Sequence, residues 1–140
     1  MGHFYFVRHG QTIWNVENKI CGATDIALTE FGHQQAVETG EKILKEGIQA
    51  DEILYSPLVR AADTAKHISE MTGIPARPEQ RIYNLLDEIR EESDEKTYIL
   101  VAHNGIARVV QSYFHDMTNE EYAAFGVKNC EIVRYDFPEK

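Results

Sequence analysis

Two short apolar runs, Phe4 to Val7 and Ile99 to Ala102, each end at a histidine: the first runs into Arg8, His9, Gly10 and the second into His103, Asn104, Gly105. Runs of this length read as strands with little exposed surface, and the second passes directly into the helical spacing Ile106, Val109, Val110, Tyr113, Phe114. A chain that alternates such strands with helices has few folds open to it. It forms a largely parallel sheet covered on both faces, with right-handed crossovers. In open sheets of that kind ligands bind beyond the carboxyl ends of the strands, which is where both histidines fall.

The rest of the chain fits that frame. Thr29 caps a helix carrying Ala36, Val37, Gly40, Ile43 and Leu44 at 3.6-residue spacing, with Gly47 beyond its end. Asp51 to Tyr55 reads as a strand. Ser56 and Pro57 supply an N-cap and first position for a helix buried along Ala61, Ala65, Ile68 and Met71 or Thr72, closed by Gly73, with Arg60 in its first turn. Ile82, Leu85, Leu86 and Ile89 mark another helix. Thr118 with Glu121 signs a capping box, and Glu131 to Phe137 reads as a last strand, an antiparallel edge. The expectation is a three-layer αβα sandwich with a mostly parallel, doubly wound sheet, in one domain spanning residues 1–140.

Charge and cysteine content narrow the function classes. Asp and Glu total 23 against 14 Lys and Arg, a formal net charge of -9. That field repels nucleic acid and anionic membranes, so anion binding must come from a local pocket of Arg, His and backbone N–H groups. Cys21 and Cys130 belong to no metal-binding cluster and point to a reducing, cytoplasmic setting. The apolar run at Phe4 to Val7 is too short for a leader or a membrane span.

Topology brings Arg8 with His9, Arg60, and His103 to one sheet edge. Two guanidinium forks match the oxygens of a phosphoryl group, and the N–H groups near Asn104 and Gly105 add donors at a helix start. A neutral imidazole is a competent nucleophile toward phosphorus, which assigns His9 to covalent work. Arg8, Arg60 and a protonated or hydrogen-bonding His103 would stabilise the transferring group. This chemistry requires neither metal nor cofactor. A cation in the first turn, as Arg60 is, opposes the helix dipole unless an anion compensates it.

With these residues the chain resembles the histidine phosphatase superfamily, which includes cofactor-dependent phosphoglycerate mutases and many phosphomonoesterases. The matching motifs run in order: Arg8, His9, Gly10, Gln11, Thr12 with Asn15; Gly22, Asp25, Leu28, Thr29, Gly32, Gln35; Ser56, Pro57, Leu58, Arg60, Ala61, Thr64, Ala65; and Ala102, His103, Asn104, Gly105. The resemblance implies His9 as the phosphorylated residue, with Arg8, Arg60, His103 and Asn15 as phosphate ligands. Gln11 and Gly22 would line the substrate entrance. Asn15 has an alternative role as a turn cap after Trp14.

The departure lies between Pro78 and Arg81. Members of the family usually carry there a segment with a Glu that protonates the leaving alkoxide, followed by a variable insertion that covers the pocket. General acid catalysis of that kind contributes about 10²–10⁴-fold. Glu79 is the candidate substitute, if the shortened loop folds over the pocket. The resemblance therefore implies a histidine acid-type phosphatase hydrolysing small phosphoric monoesters, with a mutase disfavoured. Two alternatives stay open: a phosphate-binding scaffold of the same fold with weakened catalysis, its middle shortened by an internal deletion, and a phosphohistidine protein phosphatase. An uncovered flank would be hidden by homodimerisation.

Overall fold

The computed structural model describes residues 3–13, 26–79, 89 and 96–137. Among them one sheet is formed by β1 (His3–Arg8), β2 (Glu52–Tyr55), β3 (Ala76–Pro78), β4 (Tyr98–Ala102) and β5 (Ile132–Asp136), in the spatial order β3-β2-β4-β1-β5. The neighbours β3, β2, β4 and β1 are parallel, and β5 adds an antiparallel edge to β1. The two runs that end in histidine are thus adjacent central strands, with Phe4 opposite Tyr98 and Arg8 opposite Ala102.

The period of two along these strands splits the core between the two faces of the sheet. On one face Val7, Ile53, Ile99 and Val101 pack against Ile43 of α1 (Glu30–Lys45) and against Ala61, Ala65 and Ile68 of α2 (Val59–Thr72). On the other, Phe4, Phe6, Leu100 and Ala102 meet Ile106, Ala107 and Val110 of α3 (Asn104–Phe114), together with Ile89, Tyr135 and Phe137. The expected sandwich with helices on both faces is what forms. Thr29 caps α1 by accepting from Gly32 N–H, and Thr118 with Glu121 completes the capping box of α4 (Asn119–Ala124).

Two local expectations are corrected and one strand is added. The helix after β2 starts at Val59, with Leu58 in the N-cap position and no side-chain cap. Ser56 N–H donates to Val101 carbonyl (3.0 Å), so that residue still belongs to the sheet edge and the chain needs two more residues to turn. Residues 76–78, to which no element was assigned from the sequence, form β3. Pro78 is tolerated because β3 is an edge strand, with Glu79 N–H resuming the ladder on Tyr55 carbonyl (2.8 Å). Leu44, one of the apolar positions at 3.6-residue spacing along α1, is 54% exposed. The helix expected around Ile82, Leu85 and Leu86 lies outside the described residues. Ile89 is described and is buried in the core.

Candidate active site

The sheet delivers the two histidines side by side. His9 N–H donates to Ala102 carbonyl (2.9 Å), which extends the β1–β4 ladder one step past the Arg8–Ala102 pair. Adjacent strands run about 4.8 Å apart, so His9 and His103 leave the sheet as neighbours. Alternation then separates Arg8 from His9. Arg8 falls on the Phe4–Phe6 face, where its Nη1 donates to the carbonyl of Val127 (2.9 Å). His9 falls on the Val7 face, toward α2.

Arg60 enters from the first turn of α2 and is only 1% exposed. Its guanidinium and that of Arg8 both act on His9 and His103, so all four groups share one electrostatic environment. Burial pushes the His9 imidazole down to about 3, opposed by its bond to Gly10 and reinforced by Arg8, Arg60 and His103. Burial, then Arg60, then Arg8, push His103 down to about 4. Both rings are therefore neutral at pH 7. Of the two expected states of His103, the ligand-free pocket favours the neutral, hydrogen-bonding one, because an imidazolium would face two guanidinium groups in a water-poor site.

The ring orientation of His9 follows from its partner. Nδ1 lies 2.7 Å from Gly10 carbonyl, and a carbonyl only accepts, so Nδ1 carries the proton and Nε2 keeps its lone pair. The loop that presents this carbonyl is pressed against α1. A Cβ on Gly10 would stand 2.4 Å from Gly32 carbonyl oxygen, and one on Gly32 would stand 2.2 Å from Gln11 carbonyl oxygen. Only glycine at both positions permits that approach.

The remaining expected residues are distributed as follows. Gln11 sits in the same loop, with its Oε1 accepting from the Thr29 hydroxyl (3.1 Å). Asn104 opens α3, but its Oδ1 accepts from Val127 N–H (3.0 Å), which ties the side chain to the loop that also holds Arg8. Glu79 follows β3 on the outermost strand, with Oε2 3.5 Å from Arg77 Nη1. Asn15 and Gly22 lie outside the described residues, as does Cys21.

Sequence reading missed the loop before β5. Asn129 Nδ2 donates to His9 carbonyl (3.1 Å), and Cys130 N–H donates to Arg8 carbonyl (2.9 Å), with Cys130 itself at φ 58. Positive φ at a non-glycine residue is an unusual feature that only coordinates reveal. Asn129 and Val127 are about 120 positions from their partners, and no local pattern announces such bonds.

The chain matches the histidine phosphatase superfamily (branch 1) in two pieces, residues 4–82 and 75–140. The 2,3-bisphosphoglycerate-dependent phosphoglycerate mutase of Chelativorans sp. (strain BNC1) is 43% identical over 75 residues, covering 54% of this chain and 36% of that protein. A probable phosphoglycerate mutase of Erwinia tasmaniensis is 35% identical over 112 residues, covering 72% and 51%. An uncharacterized phosphatase of Bacillus subtilis is 46% identical over 69 residues, covering 49% and 35%. The chain thus spans between a third and a half of the length of these curated relatives. Among solved structures, phosphoserine phosphatase of Entamoeba histolytica in complex with 3-phosphoglyceric acid superposes with a TM-score of 0.85 at 23% identity, covering 98% of this chain and 91% of that one. Mycobacterial glucosyl-3-phosphoglycerate phosphatase with VO3 gives 0.82 at 21%, covering 96% and 90%. At those identities the likeness is one of fold.

Proposed function

We propose that this chain, which belongs to the histidine phosphatase superfamily (branch 1), hydrolyses small phosphoric monoesters through a phosphohistidine on His9. Nε2 of His9 attacks phosphorus in line, the P–N bond forms, and the bond from phosphorus to the ester oxygen breaks. The departing oxygen takes a proton from solvent or a nearby acid. Water then attacks phosphorus, the P–N bond breaks, and inorganic phosphate leaves with Nε2 restored. Arg8 and Arg60 hold the equatorial oxygens and offset the charge that develops on them, and His103 donates a hydrogen bond from its neutral ring.

The observation that carries this reading is the setting of His9: 2% exposed, its Nδ1 2.7 Å from the Gly10 carbonyl, and under the influence of the Arg8 and Arg60 guanidinium groups. The fold neighbours were solved with 3-phosphoglyceric acid, VO3 and inorganic phosphate, which supports a small phosphorylated ligand here.

A second reading, an anion-binding scaffold with weakened turnover, is favoured by one observation. The two matched pieces overlap at residues 75–82, which fits a family segment lost between Pro78 and Arg81, and Glu79 beside that junction is paired with Arg77. We read the junction as an internal shortening that removes the acid and the covering segment.

Turnover of p-nitrophenyl phosphate, whose leaving group needs little protonation, separates the two readings. The first expects hydrolysis that is abolished in His9→Asn while inorganic phosphate still binds. Phosphate binding without hydrolysis at any pH would support the scaffold. Hydrolysis that survives in His9→Asn would overturn the assignment of His9.

A further inference from the structure

The loop that follows β1 holds two successive peptide units, and side chains from three distant elements grip them. In the unit joining His9 to Gly10, the His9 carbonyl accepts from Asn129 Nδ2 (3.1 Å) and the Gly10 N–H donates to Thr64 Oγ1 (2.9 Å). In the unit joining Gly10 to Gln11, the N–H donates to Gln35 Oε1 (2.8 Å) and the carbonyl accepts from His9 Nδ1 (2.7 Å). Thr64 is fully buried, and its own hydroxyl proton goes to Arg60 carbonyl (2.7 Å), so its oxygen serves Gly10 only as an acceptor.

We propose that Gln35 of α1, Thr64 of α2 and Asn129 of the loop before β5 are positioning residues that clamp these two peptide units and so hold the His9 ring in its Nδ1–H form. The inference rests on the reading of His9 as the nucleophile. Neither carbonyl nor N–H of the two units is left to rotate, so Gly10 carbonyl stays aimed at Nδ1. The Gln35 bond lies on the same peptide plane as that carbonyl, and hydrogen bonds in series through one amide polarise and strengthen one another. Release of any of the three would let the carbonyl swing away, and the ring would turn or exchange its proton to Nε2, the atom that must be bare to attack.

Nitrogen-15 NMR of the histidine rings in the intact chain tests the clamp without relying on turnover. Wild type is expected to show His9 protonated at Nδ1. Gln35→Leu, Thr64→Val and Asn129→Ala should each move it toward Nε2–H, and Thr64→Ser, which keeps the hydroxyl, should restore the wild-type spectrum. A misplaced nucleophile costs up to about a hundred-fold in rate, so hydrolysis of p-nitrophenyl phosphate should fall by about that factor while inhibition by inorganic phosphate changes little. Tautomer shifts in a protein without hydrolysis would uphold the clamp and remove the phosphatase reading. A His9 spectrum and turnover unchanged in all three variants would overturn the clamp, as would loss of phosphate binding in step with turnover when Thr64→Ser fails to restore either.

Discussion

At the scale of single residues, the pocket sets protonation by burial first and by guanidinium charge second. His9 and His103 lie below the ordinary histidine value, at about 3 and about 4, so their rings should stay neutral in an NMR titration down to pH 5. A midpoint near 6.5 for either ring would contradict the described environment. Arg60→Ala removes a buried charge that depresses both rings and that, in the proposed function, holds a phosphate oxygen. A charge-assisted hydrogen bond contributes about 1.5–3 kcal/mol, so phosphate affinity should fall roughly 10- to 150-fold in calorimetry, and the His9 and His103 midpoints should rise. Arg60→Lys should not recover the affinity fully, because an ammonium lacks the planar fork. His9, His103, Arg8 and Arg60 were legible in the sequence since each directly follows an apolar strand or opens the next helix. Asn129 and the Val127 backbone were not, since their bonds span most of the chain.

At the scale of elements, α1, α2 and α3 each bring one fixed point to the carboxyl edge of the sheet. The contact between Gly10 and Gly32 sets how closely α1 approaches the loop of His9. Gly32→Ala forces a methyl group onto backbone that cannot give way like a flexible side chain. Overpacking of this kind costs about 1–3 kcal/mol. The variant should unfold at lower urea and lose hydrolysis more than phosphate binding, both measurable on one preparation. Unchanged urea midpoint and turnover would mean that the loop tolerates the added volume. The long elements were readable because the strands are continuous apolar runs and the helices keep a 3.6-residue period. Helix α2 began late because the Ser56 N–H is engaged by Val101, and β3 escaped notice because three residues ending in proline carry no alternation. Both misses arise where tertiary hydrogen bonding outweighs local preference.

At the scale of the whole molecule, the depressed imidazoles link stability to pH. In the unfolded chain a histidine takes up its proton near pH 6.5, while native His9 does not until about pH 3. The contribution is fully present above pH 6.5 and declines as pH falls toward the native value, since protons then favour the unfolded state. Between pH 7 and pH 5 the wild type should lose about 2 kcal/mol more than His9→Asn in urea unfolding. An equal loss in both would mean that His9 is charged in the native protein. Across the molecule, the net charge of -9 and the buried Arg60 pull in opposite directions; the charge is legible in the sequence, whereas the burial of Arg60 comes from the tertiary packing of α2 on the sheet. The covalent step is the claim on which the rest depends. Acid-free rapid quench of the chain with a phosphomonoester, followed by mass spectrometry under basic conditions, should find an acid-labile phosphoryl group on the peptide bearing His9 and none in His9→Asn. Hydrolysis with the label on another residue, or with no phosphorylated intermediate under conditions that trap one, would contradict it.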